Sequence, residues 1–113
     1  MRVLLVENHL DTLKCLAKLL ALHGHDVATA RTLTAARELC EHGNFDVLIC
    51  NIALPDGDGC ELAALAKRCG TKAIALTAYG TKADVDRTTE AGFLVHLTKP
   101  VDYDAIEAAM TNC

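Results

Sequence analysis

Aromatic side chains are scarce: two Phe, two Tyr and no Trp in 113 residues. Any core is therefore aliphatic, built from Leu, Val, Ile and Ala. Proline (two) and glycine (seven) are also few, while apolar residues make up 51%, a balance that excludes disordered, collagenous and low-complexity chains. Positive charge is not in excess. Eleven Lys and Arg against fifteen Asp and Glu give a net charge of −4, which argues against a surface devoted to gripping phosphate backbones. Nucleic acid is not expected as a direct ligand. No apolar run approaches the roughly 18–20 residues of a membrane span; the longest, Val3 to Val6 and Val47 to Cys50, are strand-sized. With Met1 followed at once by Arg2 and such a strand, no signal peptide is expected, and a soluble, cytoplasmic protein is. The six cysteines, at 15, 40, 50, 60, 69 and 113, include no Cys-x-x-Cys pair, so zinc ligation and thioredoxin-like chemistry lose their spacing. Cys15, Cys40 and Cys50 fall in helical or strand patterns, where a reduced thiol acts as a small hydrophobe. The length suits one domain over residues 1–113, without room for a second.

What is present is an alternation that repeats five times. Arg2 to Val6 reads as a strand, and Leu10, Leu13, Leu16 and Leu20 recur at helical spacing up to His23-Gly24-His25. Asp26 to Ala30 is a second strand, and Thr32 is a reasonable N-cap for a helix through Leu33, Ala36, Leu39 and Cys40 to Gly43. Phe45 to Cys50 is apolar almost throughout, as a strand covered on both faces should be. A turn over Pro55–Gly59 leads to a helix near Cys60 to Cys69. Lys72 to Leu76, the helix Thr81 to Ala91, Phe93 to Leu97 and the helix Asp102 to Met110 complete the series. The fourth helix has a weak apolar stripe and is expected to pack loosely. Strict alternation implies right-handed crossovers and a doubly wound (βα)₅ parallel sheet.

In such a sheet ligands gather beyond the carboxyl ends of the strands. There the sequence places Glu7 and Asn8 after the first strand, Asn51 after the third, Thr77 after the fourth, and Thr98-Lys99-Pro100 after the fifth. These residues carry a resemblance. VLLVENH at 3–9, FDVLICNIALPDGDG at 45–59, ALTAYG at 75–80 and EAGFLVHLTKPV at 90–101 resemble the receiver domain of two-component response regulators over essentially the whole chain. The resemblance implies a flavodoxin-like α/β fold with strand order 2-1-3-4-5. It also implies an acidic pair holding Mg²⁺ after the first strand and a phosphoacceptor Asp after the third. A Thr and a Lys-Pro contact the phosphoryl group, and an aromatic switch residue lies in the last strand.

Two of the three acids depart from that pattern. Asn51 stands at the phosphoacceptor position and Asn8 at the second position of the acidic pair; Glu7 alone keeps its charge. A neutral amide cannot form an acyl phosphate, and the charges of Glu7 and Lys99 cancel where the family pattern is net negative. Mg²⁺ binding at the degenerate Glu7, Asn8 and Asn51 site is therefore expected to be weak or absent, with no other cofactor. A self-satisfied cluster is expected instead, in which Lys99 donates to Glu7 or to the Asn51 carbonyl and the Asn amides donate to Glu7. Thr77 and Lys99 match their family positions as phosphoryl contacts, and His96 takes the switch position.

The leading expectation is a non-enzymatic receiver-type signalling module, a pseudo-receiver, that acts by binding a histidine kinase, a phosphotransfer domain or an output domain. It would be a single unit, or a piece of a longer regulator or hybrid kinase. Homodimerisation would run through the fourth helix, fifth strand and fifth helix. Alternatives are a conventional receiver whose Asp was replaced by Asn, and a flavodoxin-like small-ligand domain, which lacks aromatics to sandwich a flavin and a phosphate loop after the first strand. Asp56-x-Asp58-Gly59 resembles a calcium-loop fragment, but the twelfth position from Asp56 is Lys67 instead of Glu. The turn is better read as a rigidifier of the loop before the third helix.

Overall fold

The computed structural model describes residues 1–78 and 80–112, so Tyr79 of the ALTAYG motif and Cys113 lie outside it. In chain order the elements are β1 (Arg2–Val6), α1 (Leu10–Leu22), β2 (Asp26–Ala30), α2 (Leu33–His42), β3 (Val47–Asn51), β4 (Ala53–Leu54), β5 (Gly57–Asp58), α3 (Cys60–Arg68), β6 (Lys72–Thr77), α4 (Lys82–Ala91), β7 (Val95–Thr98) and α5 (Tyr103–Asn112). The main sheet has the order β2-β1-β3-β6-β7 and every pairing in it is parallel. Counted by main-sheet strands alone this is the 2-1-3-4-5 order.

The two faces of the sheet are set by side-chain alternation, because successive residues of a strand point to opposite sides. Leu4 and Val6 of β1, with Leu48 and Cys50 of β3, pack against Ala36 and Cys40 of α2 and Leu62, Ala63 and Ala66 of α3. Val3 and Leu5, with Val47 and Ile49, face Leu13, Leu16 and Leu20 of α1 and Ile106 and Met110 of α5. All five residues of β3 are buried, which is why its sequence is an unbroken apolar run and not an alternating one. α4 is different. Thr88 is its one buried residue among those described, consistent with the weak stripe in its sequence.

Several elements differ from the sequence reading. The third main strand starts at Val47 instead of Phe45, because the Asp46 N–H and carbonyl bridge to Arg2 and Lys72 ahead of the ladder while Phe45 turns inward beneath the Arg2 guanidinium, 5.1 Å from its ring centroid. The last strand starts at Val95 instead of Phe93. Gly92 ends α4 in the left-handed region (φ 116°), and the Phe93 N–H closes back onto the Thr88 carbonyl. The Pro55–Gly59 turn is more than a turn: β4 and β5 pair antiparallel as a two-rung hairpin, Ala53 with Asp58 and Leu54 with Gly57. Cysteine burial is also mixed. Cys40 and Cys50 are buried, but Cys15 and Cys69 are exposed and Cys60 is intermediate, since Cys15 lies on the solvent side of the α1 stripe formed by Leu13, Leu16 and Leu20. Among the described residues no helix is long and apolar enough to cross a membrane.

The hairpin reaches α3 through Gly59, whose backbone (φ −58°) any residue could adopt. Its constraint is proximity: a Cβ there would lie 2.5 Å from the Asn51 carbonyl oxygen and 2.9 Å from the Cys50 sulfur. Gly59→Ala should therefore overpack the β3–α3 junction and destabilise the protein by about 1–3 kcal/mol. Chemical denaturation is the measurement.

Candidate functional site

In the order β2-β1-β3 the chain leaves β1 to one side and returns on the other, so a crevice opens beyond the ends of β1 and β3. Glu7 follows β1 directly and is fully buried. Its Oε1 pairs with Lys99 Nζ, an ion pair that spans the sheet from the first strand to the loop after the last. Its Oε2 accepts the His9 N–H at 3.1 Å, and its own N–H donates to the Ala30 carbonyl at 3.0 Å. A buried carboxylate without such partners would be strongly unfavourable.

Asn51 ends β3 and is nearly buried. Its Nδ2 donates to Asn8 Oδ1 at 2.7 Å and to the Ala53 carbonyl at 2.9 Å. This differs in one respect from the expected cluster. Lys99 donates to Glu7 as anticipated, but Asn51 donates to Asn8 and to the Ala53 carbonyl and not to Glu7. Thr77, buried at the end of β6, takes part through its backbone, its carbonyl accepting the Lys99 N–H at 2.7 Å. Glu7, Asn8, Asn51, Thr77 and Lys99 thus converge on one rim. His96 does not join them. It is half-buried in β7 and its Nδ1 lies 3.0 Å from Thr88 Oγ1 of α4. Among the described residues no buried side-chain nitrogen or oxygen lacks a hydrogen-bond partner, and no three His, Cys, Asp or Glu side chains are grouped to hold a metal.

Four residues around the rim were not singled out for their contacts in the sequence. Arg31, at the end of β2, extends its guanidinium to the Asn8 carbonyl at 3.4 Å. Asp56, in the hairpin turn, caps a helix over twenty residues earlier: its Oδ1 accepts the Leu33 N–H at 2.7 Å, and its Oδ2 accepts the Thr34 N–H at 2.9 Å and hydroxyl at 2.7 Å. Thr32 caps the same helix through Ala35 N–H, as its position suggested. Asp58 accepts the Cys60 N–H of α3 at 2.8 Å and pairs with Arg87 of α4. Burial would raise the Asp58 carboxyl, but the Cys60 N–H and Arg87 outweigh it and hold the group below the usual carboxylate range. Acids a few residues past a strand that ends in Asn are the only sequence signal for these clamps, and capping across 22 residues leaves no local pattern.

The model of the response regulator receiver domain matches residues 3–111, and the chain belongs to that family. It is 32% identical over 112 residues to the transcriptional regulatory protein GlrR of Escherichia coli (strain K12), covering 97% of this chain and 25% of GlrR. An uncharacterized 14.6 kDa protein in the sodA1 3′ region of Leptolyngbya boryana is 36% identical over 106 residues, covering 90% of this chain and 81% of that protein. Among solved structures, the CheY-like receiver domain protein from Methanospirillum hungatei JF-1 superposes with TM-score 0.87 at 26% identity, covering 98% of this chain and 94% of that one. The Francisella response regulator 1452 receiver domain reaches TM-score 0.91 at 21% identity over 98% of this chain and 93% of its own, which shows the shared fold.

Two consequences of the rim are measurable. Lys99→Met leaves the Glu7 carboxylate buried without its cation and should destabilise the protein by roughly 3 kcal/mol, the low end for such a pair, since about a quarter of the Lys99 side chain meets water. Adding Glu7→Gln to that variant should recover part of the loss, the coupling being read from urea denaturation of the four variants. The second concerns acid. The Thr34 hydroxyl, with the Thr34 and Leu33 N–H groups, draws Asp56 from 3.8 down to about 2. A carboxyl lowered on folding stabilises the protein above its unfolded value, and that contribution disappears as pH falls toward 2. Asp56→Asn should therefore lower the melting temperature at pH 6, and the gap to the unsubstituted protein should narrow steadily between pH 4 and pH 2 in thermal scans.

Proposed function

We propose that this receiver domain is a signalling module that is not phosphorylated at the family's usual position and works by protein–protein contact. The observation that carries the reading is the Asn51 side chain. It sits where the resemblance puts the phosphoacceptor, it carries no anionic oxygen, and its amide nitrogen is engaged by Asn8 and Ala53. Acyl phosphate formation needs a carboxylate nucleophile; a carboxamide does not supply one. Mg²⁺ is the cation the resemblance implies, and the residues present do not fit it. Of Glu7, Asn8 and Asn51 only Glu7 is an acid, and its two oxygens are taken by Lys99 and the His9 N–H. Asn8 Oδ1 accepts from Asn51. Mg²⁺ gives up its waters reluctantly and favours charged oxygen ligands, so its affinity here is weak or absent.

On this reading Thr77 and Lys99 serve packing and hydrogen bonding in place of phosphoryl contact. His96 links β7 to α4 through Thr88 in place of a swinging aromatic ring. The partners are a histidine kinase, a phosphotransfer domain or an output domain, the domain itself being no enzyme and working in the cytoplasm. The chain spans about a quarter of the length of GlrR, so an attached output region belongs to the proposal. Self-association would use α4, β7 and α5, where Val85 is exposed.

Incubation with acetyl phosphate and Mg²⁺ should leave the intact mass unchanged; a gain of one phosphoryl group, labile to hydroxylamine, would overturn the reading. Repair variants separate nucleophile from metal. Asn51→Asp alone should be phosphorylated slowly and Asn8→Asp alone not at all. The double variant should exceed the sum of the singles, because metal and nucleophile act on one transition state. If Asn51→Asp alone matches the double variant at the same Mg²⁺, Asn8 is an adequate ligand and the charge argument fails.

A further inference from the structure

The flank of the molecule formed by α1 and α5 has two properties that the rim does not account for. One is apolar. Between α1 and the loop after β7 runs a groove of about 580 Å³, lined by Thr12, Cys15 and Leu16 on one side and by Lys99, Pro100 and Val101 on the other. Cys15, half-buried Leu19 and Leu22 recur at helical spacing along α1, so the groove continues down one stripe of the helix. At its end Leu22 is 71% exposed, next to His23, whose ring lies 4.4 Å from the Tyr103 ring of α5. Apolar surface of this kind gains by being covered. The other property is charge. α1 exposes Lys14 and Lys18, one turn apart, against the single acid Asp11, whereas α5 has Asp104 and Glu107 and no base, with Asp102 just ahead of it. The two helices cover the same sheet face, and Glu107 meets His25, just beyond α1, at 2.6 Å. A basic helix and an acidic helix thus stand side by side.

We infer that this flank is a docking face for a second copy of the chain, with α1 of each copy lying on α5 of the other about a two-fold axis. Sign selects the arrangement. In a two-fold contact the same patch serves both partners. Setting α1 on α1 would bring lysine to lysine, and α5 on α5 aspartate to aspartate, whereas crossing them brings Lys14 and Lys18 to Asp104 twice. The stripe of Cys15, Leu19 and Leu22 is then covered, apolar burial supplying the attraction and charge the orientation. The inference rests on the reading that the domain works by protein contact, and it decides which flank of α5 a second copy takes. The opposite flank pairs α5 with α4. That helix has two bases against three acids, and its Arg87 is already held by Asp58, so there acid meets acid.

The test is sedimentation velocity of the whole chain at low salt over a range of concentrations. The unsubstituted protein should form a dimer as concentration rises, and Leu22→Glu, at an exposed position, should weaken that dimer roughly tenfold or more. Two charge-reversed proteins give the sharper comparison. One has Lys14→Glu with Lys18→Glu, which makes α1 acidic. The other has Asp104→Lys with Ala108→Lys, both at exposed positions, which makes α5 basic. Each alone should be monomeric, since its α1 and α5 then carry charge of one sign. Mixed in equal amounts they should form a heterodimer, because the acidic α1 of one meets the basic α5 of the other and the unchanged α1 and α5 meet as before. That rescue also shows that both variants are folded. An unsubstituted chain that stays monomeric at millimolar concentration, a mixture that does not associate, or a dimer that survives both reversals would each overturn the proposal. None of these outcomes bears on whether Asn51 accepts a phosphoryl group, which the mass measurement with acetyl phosphate decides separately.

Discussion

A carboxylate fixed at the end of the central strand, beyond reach of solvent, has to find a cation or the strand cannot end where it does. Glu7 finds it in Lys99, which follows the outermost strand of the same sheet. Between β1 and β7 lie β3 and β6, so this one ion pair fixes the loops at both ends of half the sheet. The rest of the rim is arranged around it. The second Glu7 oxygen orders the turn into α1 through the His9 N–H, and Thr77 receives the backbone of Lys99. Asn51 donates instead to Asn8 and to the Ala53 carbonyl.

The acids nearest the rim serve as braces. Asp56 holds the first turn of α2, and Asp58 holds the first turn of α3 and the Arg87 guanidinium of α4. The two-rung hairpin of β4 and β5 sets these carboxylates on separate sides, and Gly59 lets the hairpin press against the Asn51 carbonyl. Helix N-termini attract carboxylates through their unpaired N–H groups, so these acids have a structural use that needs no cation.

Much of this was legible in the sequence. Unbroken apolar runs at Val3–Val6 and Val47–Cys50 are what strands covered on both faces require, and helical stripes such as Leu13, Leu16 and Leu20 are what cover them. The convergence of Glu7, Asn8, Asn51, Thr77 and Lys99 followed from strand ends alone. What the sequence did not carry were interactions without a period. Capping by Asp56 across 22 residues, the hairpin inside an apparent turn, and the choice of Asn51 for Asn8 over Glu7 depend on tertiary proximity, which leaves no local pattern. Cys15 shows the same limit: a helical pattern gives the stripe, but one residue off it is solvent.

α4 differs from the other helices in kind. It buries a single threonine among its described residues and is attached by polar contacts: Arg87 to Asp58, and Thr88 to His96. Apolar surface, once buried, is returned to water only at a cost set by its area, whereas an exposed ion pair exchanges readily for water or for another protein's side chain at small net cost. The helices packed on Leu, Val and Ile are thus committed by the core, while α4, among its described residues, is held chiefly by polar groups, with Ala91 packing against the apolar cluster. Local opening falls on elements with few buried apolar contacts, and α4 meets that description. Its polar anchors lead to different places, Asp58 to the hairpin beside Asn51 and His96 to the strand that Lys99 follows. α4 is thus tied by side chains to both sides of the rim, through residues that lie outside the five gathered there.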